Sequence, residues 1–336
     1  MSRAEQNSKL DTRVDHLFAR PAIDGISLAL VVQHCGEIVT ERYDTQPENV
    51  FQPAVEITAE STLTSWSMAK SMTHAAVGIM VLDGLLDIEA PAAVPEWVGT
   101  PKAEITVLDL LEMRSGLRFV EDYVDDSISH CIEMLFGDSG PSHAAYAAAL
   151  PLDHPPGTVW SYASGTTNII CRILGDIVAG GVGGDPVERQ EAVSSFLRDR
   201  LFDPVGMTSA EPKFDDAGDF VGSSYVDATA RDFARFGELY RHDGVTDLGE
   251  GERILPEGWL AHARYKVAHD DEDGMDYGRH WWLSPEFPGS LQCSGHEGQY
   301  IVVVPDRELV LVHLGKTPAE SSPVLRAHIE RIIQLF

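Results

Sequence analysis

The segment TSWSMAKSMT, residues 64–73, holds a serine and a lysine three positions apart, Ser67 and Lys70. Apolar or small residues recur at helical spacing from Met68 to Met80, which predicts a buried helix with Ser67 in its first turn. Positions i and i+3 share a helix face, so the Ser67 hydroxyl and the Lys70 amine can meet. A serine becomes a nucleophile when a base takes its proton, and a lysine whose pKa is lowered by burial and by the helix N-terminus can be that base. The pair predicts acyl transfer. A lysine whose amine reaches solvent would fit the same short motif.

Two further segments carry residues that would complete such a site. The Pro- and Gly-containing loop at residues 154–168 delivers Tyr162, which could relay a proton because a nearby cation favours a phenolate. A half-buried loop aromatic residue is the alternative. The segment CSGHEGQYIVVVP, residues 293–305, leads from glycines into a β pattern, where a backbone N–H could hold an oxyanion together with that of Ser67. His296 lacks an HxxxH or HExxH partner, so we expect no metal and no cofactor.

The remaining patterns predict the elements that must position these residues. Two β-rich runs joined across HCGE at residues 26–44 predict a hairpin, and β patterns return after about residue 275, before a final amphipathic helix. Short helical patterns separated by Pro or Gly occupy the middle of the chain. We therefore predict an α/β fold of the α+β type. One antiparallel sheet is built from both termini and flanked by helices (residues 1–85 and 275–336), and residues 86–274 form an inserted, mostly helical domain.

Composition excludes several classes of partner. The 336 residues include 53 acidic and 25 basic side chains, and the net charge of -28 repels phosphate backbones and anionic lipid. We therefore expect neither nucleic-acid nor membrane binding. The N-terminus has no apolar signal region, no window approaches the roughly 20 apolar residues of a membrane span, and the four cysteines are widely scattered. These features favour a cytoplasmic protein and leave a homo-oligomer open.

The three motifs in this order, SMAK, YAS and HEG, resemble the serine β-lactamase and penicillin-binding-protein superfamily. The segments around them are most similar to the class C-related branch, in particular to 6-aminohexanoate-dimer hydrolases and related esterases, from about residue 55 onward. The resemblance implies that Ser67 is acylated, Lys70 is its base and Tyr162 is the proton relay. It also implies that Ser164 is an auxiliary hydrogen-bonding and substrate-binding residue, and that the backbone amides of Ser67 and Gln299 hold the oxyanion. The site would lie in a cleft between the α/β and all-α domains.

Substrate contacts are expected from the HEG segment, at His296 and Gly298, and from the loop RFVEDYVDD, residues 118–126, at Asp122 and Tyr123. Acidic side chains of this loop could attract an amine-bearing substrate; they are Glu121, Asp122, Asp125 and Asp126. A solvated acidic loop is the alternative.

The leading hypothesis is a serine hydrolase that cleaves a small ester or linear amide through an acyl-enzyme. YAS in place of Tyr-x-Asn and HEG in place of Lys-Thr-Gly remove an amide and a cation that would grip a β-lactam, which argues against antibiotic hydrolysis. A β-lactamase or D-amino-peptide hydrolase is the alternative with the same chemistry. A non-catalytic binding protein on the same scaffold is the alternative of a different class.

Overall fold

The computed structural model describes residues 3–50, 53–121 and 128–336. The strands are β1 Ile26–His34, β2 Glu37–Tyr43, β3 Thr45–Gln46, β4 Val55–Glu56, β5 Leu63–Thr64, β6 Glu211–Pro212, β7 Val226–Ala228, β8 Ala268–Asp270, β9 Met275–Tyr277, β10 Trp282–Leu283, β11 Leu291–Gly295, β12 Gln299–Val304 and β13 Leu309–Lys316. The α-helices are α1 Arg3–Phe18, α2 Ala69–Leu82, α3 Val107–Leu111, α4 His130–Phe136, α5 His143–Ala149, α6 Ser164–Val178, α7 Pro186–Leu197, α8 Asp203–Val205, α9 Ala230–Arg241, α10 Trp259–Ala263 and α11 Ser322–Ile333.

The main sheet is antiparallel and joins both ends of the chain. Across the described residues its strands follow the order β2-β1-β13-β12-β11-β10-β9-β8, which places the N-terminal hairpin beside the last strand. The hairpin turns at Cys35 and Gly36, whose φ angles of 53° and 80° are those of a tight two-residue turn. The predicted hairpin, the sheet built from both termini and the final helix are confirmed.

Both faces of this sheet are buried, and alternate residues of its central strands pack on opposite sides. In β12, Tyr300 and Val302 belong to the core formed with α1 and α11, whereas Ile301 and Val303 belong to the larger core that includes α2, α6 and α9. Successive side chains of a strand point to opposite faces, so a strand covered on both faces is continuously apolar. The run QYIVVV follows this rule.

The helix α1 was not predicted from the sequence. Its buried residues, Leu10, Val14 and Leu17, form a narrow stripe on an otherwise polar helix, and they pack with Leu325 and Ile329 of α11. Because the partner helix lies at the other end of the chain, the N-terminal pattern alone is too weak to indicate a helix.

The predicted short helices in the middle of the chain are confirmed as α3, α5, α6, α7 and α9. Two elements between residues 86 and 274 nevertheless contact the main sheet, since β8 forms its edge and α9 packs on β12 and β13. The division of the chain into domains at residues 85 and 275 stays a prediction. Over the described residues, we find no helix with the length and apolarity that a membrane crossing requires.

Candidate active site

Ser67 lies in a tight 3₁₀ turn, Trp66–Met68, that runs directly into α2. The sequence predicted it in the first turn of the α-helix itself. Trp66 has a φ of 46°, a left-handed conformation that is uncommon for a bulky residue. The turn is anchored by buried Ser65, whose N–H donates to the Val226 carbonyl at 2.9 Å and whose hydroxyl accepts from the Val226 N–H at 3.0 Å. Two elements distant in sequence therefore fix the position of Ser67.

The Lys70 amine is almost completely buried, with 2% of the residue exposed. Its Nζ donates to Ser67 Oγ at 3.1 Å, to Ser164 Oγ at 2.9 Å and to the Ser223 carbonyl at 2.8 Å. An ammonium group has three hydrogens, so each of them has an acceptor. The structure thus brings Ser67, Lys70 and Ser164 together as the sequence and the resemblance predicted, and it excludes an amine that reaches solvent.

The charge state of Lys70 differs from the expectation. Burial is the largest influence and lowers the pKa of Lys70, but the electrostatic interactions of the amine with the Tyr162 hydroxyl and the Glu121 carboxylate, among others, outweigh it and raise the pKa. The pKa of Lys70 therefore lies above its ordinary value, and the prediction of a lowered pKa was wrong. At neutral pH the amine is an ammonium, which must lose a proton before it can act as a base.

Tyr162 lies beside the amine, with Lys70 Nζ 4.8 Å from the centre of its ring. The ring packs edge-on against Tyr277, with 5.8 Å between ring centres, and beside Trp282, at 5.6 Å. Burial raises the pKa of Tyr162, and the charge of Lys70 and a hydrogen bond with Ser67 offset this only in part. The phenol is therefore neutral at neutral pH, so a proton is available beside Ser67.

Glu121 is a site residue that sequence reasoning assigned to a different role. Its Oε2 accepts from the Ser164 N–H at 2.7 Å, and its Oε1 accepts from the Ser164 hydroxyl at 2.6 Å. The sequence places Glu121 among the acidic residues that could attract substrate. The contact joins positions that are 43 residues apart, and no local pattern could have indicated it.

The HEG segment lies against the turn that carries Ser67. A Cβ built on Gly295 would stand 2.3 Å from the Ser65 carbonyl oxygen, so only glycine allows β11 to come this close. Gly298 has a φ of 83°, and the ring of His296 packs edge-on at 5.6 Å from the ring of Trp66. The Gln299 side chain donates to the Gly315 carbonyl at 2.7 Å and accepts from the Gly315 N–H at 3.0 Å, which fixes the start of β12.

A cleft of about 870 Å³ opens over these residues. Ser67, Tyr162, His296 and Gly298 line it, whereas Ser164 lies beneath, behind Glu121. Its remaining walls include the acidic side chains of Glu121, Asp270, Glu272, Asp273 and Glu297. Asp122 and Tyr123, and with them Asp125 and Asp126, lie outside the described residues.

Neighbouring tryptophans show how the strand pattern divides packing from site residues. Trp281 is fully buried. Its ring stacks on that of Phe236 with 6.1 Å between centres and lies tilted beside that of Tyr240, 4.4 Å away. Trp282 is half-buried, contacts Tyr162 and lines the cleft. Trp281 thus belongs to the core, whereas Trp282 packs against the edge of the core and also lines the cleft.

A serine, a lysine, a tyrosine and a close backbone edge beside one cleft form an arrangement suited to acyl transfer. Residues 10–333 match the Beta-lactamase family. Because this match spans nearly the whole chain, the chain belongs to the Beta-lactamase family of serine hydrolases, and the resemblance drawn from the motifs is confirmed.

One curated relative indicates a branch of this family. A 6-aminohexanoate-dimer hydrolase of Paenarthrobacter ureafaciens is 26% identical to the chain over 272 residues, which are 75% of this chain and 65% of that protein. The match thus spans slightly less than two thirds of the relative's length.

Solved structures agree on the fold. A family VIII carboxylesterase matches with a TM-score of 0.71 at 17% identity, over 98% of both chains. The octameric penicillin-binding protein homologue from Pyrococcus abyssi matches with a TM-score of 0.70 at 16% identity, over 99% of this chain and 78% of that one. These likenesses confirm the predicted fold class.

Proposed function

We propose that the protein hydrolyses a small ester or linear amide through an acyl-enzyme on Ser67. The observation that carries this proposal is the buried Lys70 amine, which contacts Ser67 Oγ at 3.1 Å and lies 4.8 Å from the Tyr162 ring centre, while Ser67 and Tyr162 themselves line an open cleft. A buried cation held against a nucleophilic hydroxyl and a phenol is a proton-transfer arrangement, for which a binding protein would have no use.

The reaction would run in two stages. Once Lys70 has lost its extra proton, Ser67 Oγ attacks the carbonyl carbon and its own proton passes to the Lys70 amine. As the bond to the leaving group breaks, Tyr162 gives that group its hydroxyl proton and recovers one from Lys70. Water then attacks the acyl-enzyme by the same route in reverse, which releases the acid and restores the Ser67 hydroxyl.

The oxyanion would be held by the backbone amides of Ser67 and Gln299. The close approach of Gly295 to the Ser65 carbonyl supports this role, because it brings the β11 and β12 edge next to the turn that carries Ser67. His296 and Gly298 would border the bound substrate from the same side.

An amine-bearing acyl or leaving group would suit the cleft. Several carboxylates line it. Arg326 also lines the cleft, and its guanidinium donates a hydrogen bond of 2.7 Å to the Asp273 carbonyl. The relative named for hydrolysis of the 6-aminohexanoate dimer fits a linear amide with an amine. The departures at YAS and HEG argue against a β-lactam, as they did in the sequence. Cytoplasmic location and a homo-oligomer stay predictions.

A panel of substrates tests the proposal: a short-chain nitrophenyl ester, a linear amide with a free amine, a D-peptide and a chromogenic cephalosporin. We expect turnover of the ester or the linear amide, a trapped acyl group on Ser67 by mass spectrometry, and no turnover by Ser67→Ala. Cephalosporin turnover at a comparable rate would instead favour a β-lactamase. Fluorophosphonate labelling that persists in Ser67→Ala would show that Ser67 is not the nucleophile.

If the acidic walls of the cleft attract an amine-bearing substrate, salt should weaken turnover of the cationic amide more than turnover of the neutral ester.

A further inference from the structure

Glu121 lies outside the three family motifs, yet it contacts the site through Ser164. We infer that Glu121 is a positioning residue, which fixes the direction of the Ser164 hydroxyl and thereby aims the lone pair of Lys70 at Ser67. The inference rests on the proposed function, since it concerns the base of that reaction.

The first step of the argument is the single hydrogen of the Ser164 hydroxyl. Ser164 Oγ lies 2.6 Å from Glu121 Oε1, and a carboxylate can only accept. The hydroxyl hydrogen is therefore committed to Glu121. Toward Lys70 Nζ, 2.9 Å away, Ser164 can act only as an acceptor.

The second step concerns the hydrogens of Lys70. A carbonyl also only accepts, and the Ser223 carbonyl lies 2.8 Å from Lys70 Nζ. A neutral amine has two hydrogens and one lone pair. With Ser164 and Ser223 both restricted to accepting, they take the two hydrogens, and the lone pair is left to face Ser67 Oγ at 3.1 Å. A Ser164 hydroxyl free to rotate could instead donate to that lone pair and block the base.

The third step explains why a carboxylate is needed. Glu121 uses separate oxygens for the Ser164 N–H and the Ser164 hydroxyl, at 2.7 and 2.6 Å. Because the two donors meet different oxygens, a glutamine in the same position would turn its NH2 group toward one of them, and that donor would lose its acceptor. Ser164 is 1% exposed, and water cannot readily replace the missing acceptor. The negative charge of Glu121 also favours the protonated form of Lys70.

The test is the pH dependence of kcat/KM for Glu121→Gln with the neutral nitrophenyl ester. We expect the plateau to fall roughly 10- to 100-fold with little change in KM, because the lysine is misaimed while substrate binding is kept. We also expect the acidic limb of the profile to move to lower pH, because an anion beside Lys70 is lost. A residue that only supports the fold would not move that limb.

Asp232 offers a matched control far from the cleft. Its Oδ2 accepts from both the N–H and the hydroxyl of Ser209, at 2.8 and 2.6 Å, so a single oxygen receives the pair of donors that Ser164 divides between the two oxygens of Glu121. Asp232→Asn should lower the melting temperature while leaving the plateau and the acidic limb of the pH profile as in wild type.

A double variant tests whether Glu121 acts through Ser164. In a Ser164→Ala background, Glu121→Gln should change the plateau less than threefold, because the hydroxyl that Glu121 directs is gone.

Three outcomes would overturn the inference. The first is an unchanged plateau and limb in Glu121→Gln. The second is a loss that appears only as a raised KM, which would make Glu121 a substrate contact. The third is full additivity with Ser164→Ala. Labelling of Ser67 by a fluorophosphonate in wild type separates these results from a failure of the proposed function: without that label the acyl-enzyme mechanism fails first, and the role of Glu121 falls with it.

Discussion

Two buried polar side chains lie one turn apart on α2, and their ionisation is opposite. Lys70 and His74 are 2% and 0% exposed. The pKa of Lys70 is raised, whereas the pKa of His74 is lowered well below its ordinary value. Burial lowers the pKa in both cases, because it disfavours a charged base. The neighbours therefore decide the outcome.

The neighbours of His74 are aromatic or basic groups. Its Nδ1 lies 2.6 Å from the Tyr240 hydroxyl, its Nε2 lies 3.1 Å from Nδ1 of His262, and the ring of Trp259 stacks on it at 4.7 Å. After burial, His262 is the next largest influence on the pKa of His74 and lowers it further. Lys70 instead has a carboxylate and a phenol in its surroundings. Lys70 thus holds a proton that it can transfer, whereas His74, one turn further along the helix, is a neutral structural group.

The largest expected effect is a loss of activity when Lys70 is replaced and a loss of stability when His74 is replaced. Lys70→Met should reduce kcat/KM by about 10²- to 10⁴-fold with the fold kept, because the base is lost while the side-chain volume stays. His74→Phe should leave kcat/KM within a few fold but reduce the free energy of unfolding by roughly 1 to 3 kcal/mol, because Tyr240 and His262 lose a buried partner. Ester kinetics and urea unfolding on both variants measure this. A stability loss in Lys70→Met and an activity loss in His74→Phe would contradict these opposite roles.

A second change should remove rate without touching either side chain. In Gly295→Ala, the new Cβ would meet the Ser65 carbonyl and push the strand edge away from Ser67. We expect a loss of about 10²-fold in kcat, the size of one lost oxyanion donor. Stopped-flow or steady-state ester kinetics would detect it, and Gly36→Ala, at an open turn where a Cβ meets nothing within 4 Å, is the control. A wild-type kcat in Gly295→Ala would argue against the oxyanion role of this edge.

The third effect is a pH dependence of stability that belongs to His74. Below its unfolded pKa of about 6.5, the unfolded chain binds a proton that the buried histidine does not, so acid should reduce the free energy of unfolding; above that pH the contribution is constant. The stability gap between wild type and His74→Phe should therefore narrow by roughly 2 kcal/mol between pH 6.5 and 5. Urea unfolding at several pH values measures the gap. A gap independent of pH would mean that His74 takes up its proton in the folded protein as readily as in the unfolded chain.

The smallest effect concerns the wall of the cleft. Trp282→Leu removes the ring that packs beside Tyr162, and we expect KM for an aryl ester to rise about 3- to 10-fold, from the 0.5 to 1.5 kcal/mol of an aromatic contact. The same change should leave the KM for a small alkyl ester nearly unchanged. It should also leave the contribution of His74 to stability nearly unchanged. Equal increases for both esters would mean that Trp282 acts only through Tyr162.

The sequence was most informative where the evidence is local or where independent motifs coincide. The three-residue spacing of Ser67 and Lys70, the hairpin at Cys35 and Gly36, and the apolar run of β12 all predicted structure that is present. It was least informative about charge. The pKa of Lys70 was predicted from burial and the helix N-terminus. The groups that raise it, Tyr162 and then Glu121, come from distant loops, and the acidic residues around Glu121 suggest solvent or substrate.

The amino-acid sequence by itself determined the residue types of the site, the helix face shared by Ser67 and Lys70, and the family, because these follow from short spacings and their order. Only the tertiary structure decided the protonation of Lys70, the role of Glu121 and the approach of Gly295 to Ser65. Each of these depends on contacts between segments distant in the chain, and at such contacts the removal of water strengthens every charge and hydrogen bond. The same burial therefore yields a charged lysine at one turn of α2 and a neutral histidine at the next.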